Sequence, residues 1–206
     1  MIHIQSKRKK PENILKEYPG AIIADVTSQA TDDLVKMSPF YPHGGIPVPF
    51  SGGVTAACVE GIWQGLKVFE GQGIDRACFT NSTMKNLKRT VRKLGAPRGH
   101  QKGVQSAELL DYITARKEIF IPAYQWVLEH KVPHIIERLR EASKTKTIVL
   151  LDYATNSDVN DPKKPLSHAY LIKAYAEGLY PFGKEIENEK ANEKVKPIEP
   201  DLFTNL

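Results

Sequence analysis

Glu60, Gln64 and Lys67 fall at helical steps of four and three within CVEGIWQGLKVFEG, residues 58 to 71. On a helix this spacing stacks a carboxyl, an amide and an ammonium group along one face. A carboxylate so placed can move a proton or face a developing positive charge, provided that space beside it is left for a ligand. Gly61 and Gly65 offer that space, because neither brings a side chain to fill it. The same glycines fit a second reading, in which the helix packs closely at both and Glu60 is paired to Lys67 or to an arginine elsewhere. Cys58, Ile62, Leu66 and Phe69 give the helix its apolar face in either case.

Other residues add to the chemistry. Phe40, Tyr41 and Trp63 could sandwich a planar ring, or belong to the core near a helix start. Asp152 ends an apolar run and precedes a polar loop, a common place for a site, although capping the next turn explains it equally well. His168 is a candidate general acid or a surface histidine at a helix end. His43, His100 and His168 are far apart, and with no HExxH or Cys/His spacing no metal is expected. GQG, residues 71 to 73, is a turn and not a dinucleotide fingerprint, since no GxGxxG follows a strand. Between Lys85 and Lys102 lie seven cations and no acid, which suits a nucleic acid, a nucleotide phosphate or nothing specific.

The elements that must position these groups are legible in outline. AIIADVTS, residues 21 to 28, and TIVLLDY, residues 147 to 153, read as strands. Residues 1 to 20 read as a basic entry segment, and SPFYPHGGIPVPFSGG, residues 38 to 53, is too rich in proline and glycine for regular structure. The spacing predicts helices over 54 to 70, 81 to 95, 106 to 120, 122 to 130 and 133 to 143, broken at Pro122 and Pro133, and a closing helix from near Ser167 to about Gly178. GAPRGHQKG, residues 95 to 103, reads as a basic loop able to bring N–H groups to an anion.

With 206 residues, 41% apolar and 26% charged, the chain is sized for one core, so residues 1 to 183 are expected to form one domain and 184 to 206 a charged tail. No apolar run approaches membrane-spanning length, and the basic start has no hydrophobic segment behind it. Two cysteines without CxxC spacing fit free thiols, so a cytoplasmic protein is expected. A net charge of +5 favours anionic partners without naming them.

SPFYP, followed about 17 residues later by VEGIWQGLKVF, resembles the signature of the NADAR superfamily. There a Ser-Asn-Phe-Tyr-Pro segment precedes a helix of the form Val-Glu-x-x-aromatic-Gln-Ala-x-Lys. The matching residues are Ser38, Phe40, Tyr41 and Pro42, then Val59, Glu60, Trp63, Gln64 and Lys67. Pro39 stands where the family has Asn, and Val159-Asn160-Asp161 stands in place of its Trp-Gly-x-Gly loop, which marks a divergent member.

The resemblance implies a mainly α fold, a single compact helical domain with a few short strands. It implies an N-glycosidase acting on an ADP-ribosylated nucleobase of guanine type or a related ribosyl phosphate, or else a non-catalytic ADP-ribose-binding module. Cleaving a ribosyl C1–N bond passes through an oxocarbenium-like state, which calls for a carboxylate near C1 and a proton donor for the departing base. Glu60 takes the first role here, with Asp161 or Asp158 as second carboxylate. Phe40, Tyr41, Trp63, Gln64, His100 and Asn160 are the expected ligand contacts, and Lys67, Arg98 and Lys102 could neutralise phosphates. No cofactor is implied, and a nucleic acid carrying the modification is a possible partner.

Overall fold

The run IVLLD becomes the strand Ile148–Asp152 (β8), in which all five residues are buried. A run apolar on both faces needs cover on both sides and a neighbour at each edge. Two parallel strands flank it, Ile2–Ser6 (β1) and Ile22–Asp25 (β2), with Ile2 and Ile22 both in register with Ile148. The connecting helix Pro11–Glu17 (α1) seats its buried Ile14 against Val149 and Leu151 on one face of this sheet. The opposite face joins the main core, which runs from Ile2 to Ile172 and includes Leu150, Leu171 and Ile172. The structure, a computed structural model, describes residues 1–180, so the expected tail at 184 to 206 lies outside the described residues.

Two antiparallel sheets complete the strands: Ile46–Pro47 (β3) with Thr55–Ala56 (β4), and Lys67–Phe69 (β5) with Pro97–Gln101 (β6) and Leu109–Leu110 (β7). The helices between and after them are Val59–Leu66 (α2), Ala77–Thr80 (α3), Val91–Leu94 (α4), Tyr112–Ala115 (α5), Ile121–His130 (α6), Pro133–Thr145 (α7) and His168–Ala176 (α8).

This is an α+β fold with three small sheets, not the mainly α fold expected from the sequence. The entry segment supplies β1 and α1 in place of irregular chain, because Ile2 can be buried against the sheet. The helix expected over 54 to 70 is shorter at both ends: Cys58 caps it by accepting the Gly61 N–H on Sγ at 3.2 Å, and Lys67–Phe69 leaves it to pair with β6. The basic stretch expected as a loop over 95 to 103 is largely that strand.

The helix expected over 81 to 95 is reduced to α4. Asn81 spends its side chain on local backbone, accepting from Thr83 N at 2.9 Å and donating to Lys85 O at 2.9 Å, and such bonds compete with a helical turn. The helix expected from 106 begins only at Tyr112, where Asp111 accepts from the N–H groups of Ile113 and Thr114. Pro122 does not break the chain's course. A wide π turn at Arg116–Phe120, closed by Ile121 N donating to Arg116 O, joins α5 to α6 and passes the residue that lacks an N–H. No helix among the described residues is long and apolar enough to cross a membrane.

Candidate active site

A cavity of about 340 Å³ opens at the C-terminal ends of β2 and β8. Ligands in sheets with parallel strands gather at this end, where connections diverge and leave a crevice. Its walls come from α2, the SPFYP segment, the α5–α6 junction and the start of α8.

The α2 wall is built around Glu60. The Glu60 N–H donates to Pro39 O at 2.8 Å, so the SPFYP segment docks onto the first turn of the helix and brings Phe40 to the same cavity. Gln64 Nε2 donates to Glu60 Oε1 at 2.8 Å, while Gln64 Oε1 accepts from Lys67 Nζ and from Arg89 N, each at 3.1 Å. The ammonium therefore reaches the acid through an amide and not directly. Burial pushes the Glu60 carboxyl above the ordinary carboxylate range, and the Gln64 bond and the charges of Lys67, Lys88 and His168 offset that only in part.

The glycines have the other purpose. A Cβ on Gly61 would stand 2.5 Å from the backbone oxygen of Cys78, and one on Gly65 would stand 2.3 Å from the Phe79 ring. They allow α2 to pack against α3, while the face one residue earlier, with Glu60 and Gln64, meets the cavity. One helix thus carries close packing and an open acid on neighbouring faces.

The β8 wall holds a second carboxylate, Asp152. His168 Nδ1 lies 2.9 Å from Asp152 Oδ2, and its Nε2 is 2.9 Å from Val26 O. A carbonyl only accepts, so Nε2 carries a hydrogen. Nδ1 facing an ionised carboxylate carries one too, and the ring is an imidazolium. Burial alone would lower the His168 pKa, but Asp152 outweighs it and the net shift is upward. Asp152 moves down despite its own burial, held there by His168 and Ser167. Ser167 caps α8, accepting from Tyr170 N at 3.2 Å while its hydroxyl donates to Asp152 Oδ2 at 2.8 Å; Ala169 N adds a contact at 3.4 Å. An anion at a helix N-terminus is favourably placed. These partners all meet Oδ2.

Trp63, Tyr112 and Phe120 line the remaining wall and pack edge to face, Trp63 standing 5.7 Å and 5.8 Å from the other two ring centres. Arg116 is buried beneath Tyr112, and its guanidinium donates to the carbonyls of Val159 at 2.8 Å, Asp161 at 3.0 Å and Lys164 at 2.8 Å. It shapes the 158 to 164 loop.

The structure brings together Phe40, Glu60, Trp63 and Gln64 of the expected catalytic and ligand-contact residues with Asp152 and His168, which the sequence offers with alternative readings, and with Lys88 at the wall. Asp158, Asn160 and Asp161 do not line it. Arg116 gathers the loop's carbonyls, and the two acids turn to their own backbone, Asp158 Oδ1 accepting from Asn160 N and Asp161 Oδ1 from Lys163 N, each at 2.8 Å. Tyr41 stacks on His43, Arg98 lies 3.7 Å from Glu70, and Lys102 bonds Glu108 at 3.2 Å, all away from the lining. His100 stands behind Trp63, ring centres 3.7 Å apart, with neither ring nitrogen hydrogen-bonded; burial and then Lys67 push it down to about 3. His168 is buried and not at the surface. The sequence points to Asp152, as an acid ending an apolar run, and to His168, as a candidate general acid, but not to their pairing nor to Arg116 and Phe120 at the lining.

Among the described residues, no group of three or more His, Cys, Asp or Glu side chains is placed to hold a metal. The model of a family described as "Family of unknown function (DUF6939)" matches residues 6–172, and the chain belongs to that family. The matched span contains every residue that lines the cavity. No curated protein and no solved structure matches the chain.

Proposed function

We propose that this member of DUF6939 is a NADAR-like N-glycosidase, hydrolysing the ribosyl C1–N bond of an ADP-ribosylated nucleobase of guanine type or a related ribosyl phosphate. It would act in the cytoplasm and without a cofactor. The observation that carries the reading is the convergence of Glu60 and the Asp152–His168 pair on one cavity walled by aromatic rings. The likeness of SPFYP and VEGIWQGLK to the NADAR signature supports it, and the Glu60 N–H to Pro39 O bond joins the two halves of that likeness at the cavity.

In this reading the base lies against Trp63 and Phe40, and the ribose presents C1 to Glu60. The ionised carboxylate faces the positive charge that grows as the C1–N bond breaks and its electron pair leaves with the base. Water supplies the hydroxyl at C1 and gives its proton to Glu60, which burial makes a stronger proton acceptor than an exposed carboxylate. The departing nitrogen takes its proton from solvent, because both N–H groups of His168 are already committed. Asp152 replaces Asp158 and Asp161 as the second carboxylate, and its Oδ1 accepts from ribose hydroxyls. Lys88 is the cation for a phosphate, since Lys67, Arg98 and Lys102 each have a polar partner.

Incubation with ADP-ribosylated guanosine tests this by chromatography of the released base. Release by the wild type, with a loss of about 10²–10⁴-fold in Glu60→Gln, supports it. No release by either form from ADP-ribosylated guanosine, or from other ribosides tested beside it, contradicts it. Calorimetric binding of ADP-ribose without turnover would select a binding module instead.

A nucleic-acid role has one observation in its favour: Lys85, Lys88, Arg92 and Lys93 are exposed along a single segment beside the cavity. Affinity for a DNA duplex that falls steeply with salt, with a log–log slope of about 0.9 per contacted phosphate, would support it. A flat salt response would rule against it.

A further inference from the structure

Gln64 has an unusual set of partners for an interior amide, and they fix which way it points. Lys67 Nζ and Arg89 N are donors only, and both meet one atom of the side chain at 3.1 Å, so that atom is the oxygen. The nitrogen must then face Glu60, 2.8 Å away, and donate to it. A donor fixed in this way favours the ionised carboxylate over the neutral acid.

The Arg89 N–H also anchors the segment that follows Leu87, the buried residue of that stretch, and precedes α4. Arg89's guanidinium bonds the carbonyls of Lys67 and Gly73, the latter at 3.0 Å, so the amide's position is set from two sides. Lys88, next in line, lines the cavity.

We infer that Gln64 is a positioning residue: its amide, held by Lys67 and Arg89, keeps Glu60 oriented toward the cavity and ionised for proton transfer. The inference rests on the glycosidase reading for its role in turnover, but the orientation of Glu60 can be measured without it. The groups facing Glu60 are Gln64 and Lys67 from its own helix and the strand after it, and Lys88 from the 81 to 90 segment. His168 faces it from α8, and Asp152 and Arg116 line the same cavity. Lys67, Lys88 and His168 are cationic and also favour the ionised acid, so removing the amide alone leaves those charges in place.

Gln64→Glu separates anchoring from donation. It keeps oxygens for Lys67 and Arg89 but turns an acceptor toward Glu60. Gln64→Met removes all three bonds at nearly the same length. The Glu60 side-chain carboxyl is followed by carbon-13 NMR against pH in each full-length protein, with thermal melts recording that each is folded. The Glu60 midpoint is expected to rise by about one pH unit or more in Gln64→Glu. The acid limb of kcat/KM should move up with it, and kcat should fall by about tenfold with KM nearly unchanged. Gln64→Met should raise the midpoint as well; if Gln64→Met does not fold, Gln64→Glu carries the test. A wild-type midpoint in a folded Gln64→Met, which loses the donor with no charge added, or in Gln64→Glu, where repulsion between two carboxylates adds to that loss, would overturn the inference. Should the wild type release no base from any riboside, the proposed function fails, while the midpoints still decide the role of Gln64.

Discussion

Two walls of one cavity each present a carboxylate, and they treat it in opposite ways. On the β8 wall Asp152 meets a cation, a hydroxyl and a helix N-terminus within one shell, and its pKa goes down. On the α2 wall Glu60 meets only an amide at bonding distance, with the nearest ammonium one link further away, and its pKa goes up. Burial alone would raise both. What separates them is whether a neighbouring group gives back what desolvation takes. The compensated wall keeps its carboxylate bonded and charged, and the one left short keeps a carboxyl that holds a proton more readily than an exposed one.

Breaking the compensated side should give the largest effect on stability. Asp152→Ala leaves His168 buried beside a carbonyl without its bonded counter-charge, at a cost of about 3–5 kcal/mol. Chemical denaturation measures it, and a loss under about 1 kcal/mol would mean that the pair contributes little.

Removing close packing comes next. Gly61→Ala drives a methyl group to 2.5 Å from the Cys78 backbone oxygen and should cost about 1–3 kcal/mol. Gly65→Ala meets the buried Phe79 ring at 2.3 Å and the Asp75 backbone oxygen at 3.1 Å, and should cost a comparable amount. Losses near zero at both positions would mean that the glycines face open space after all.

The smallest effect has the opposite sign. A carboxyl whose folded pKa is raised favours the fold while protonated. Its contribution is fully present below the ordinary carboxylate range and is lost as pH rises through the folded value. Glu60→Gln should therefore melt a few degrees higher than the wild type at pH 8, with the gap closing toward pH 4. His168 also has a raised pKa. Its contribution is complete below about 6.5 and declines above that as pH climbs through the folded value. Both proteins therefore lose stability at high pH, and the variant less. Equal melting curves at pH 8 would place Glu60 in a solvated setting.

Much of the α2 wall could be read from residue types and steps, since Glu60, Trp63 and Gln64 are set by one helix and its SPFYP lead-in. The strand before Asp152 was equally plain, because IVLLD admits few alternatives to a buried position. The second carboxylate could not be chosen by local rules. Asp152 ends the strand that Asp158 and Asp161 follow, and the choice among them is made by Arg116, more than forty residues before the two loop acids, drawing the loop carbonyls inward. His168 is buried with two distant partners that no local rule could supply, the Asp152 carboxylate and the carbonyl of Val26, 142 residues upstream. The expected helix over 81 to 95 failed for a reason visible in sequence, an asparagine that bonds its own backbone. The mainly α expectation failed because β1, β5, β6 and β7 fall in stretches read as an entry segment, a helix end, a loop and a helix start, and they are strands only through pairing with distant parts of the chain.

Carbon-13 NMR of the side-chain carboxyls with and without ADP-ribose bears most directly on the claim that these two walls share one ligand. Glu60 and Asp152 should shift together on saturation while Asp158 and Asp161 stay in place. Movement confined to Asp158 and Asp161, or none at any of the four, would contradict the account.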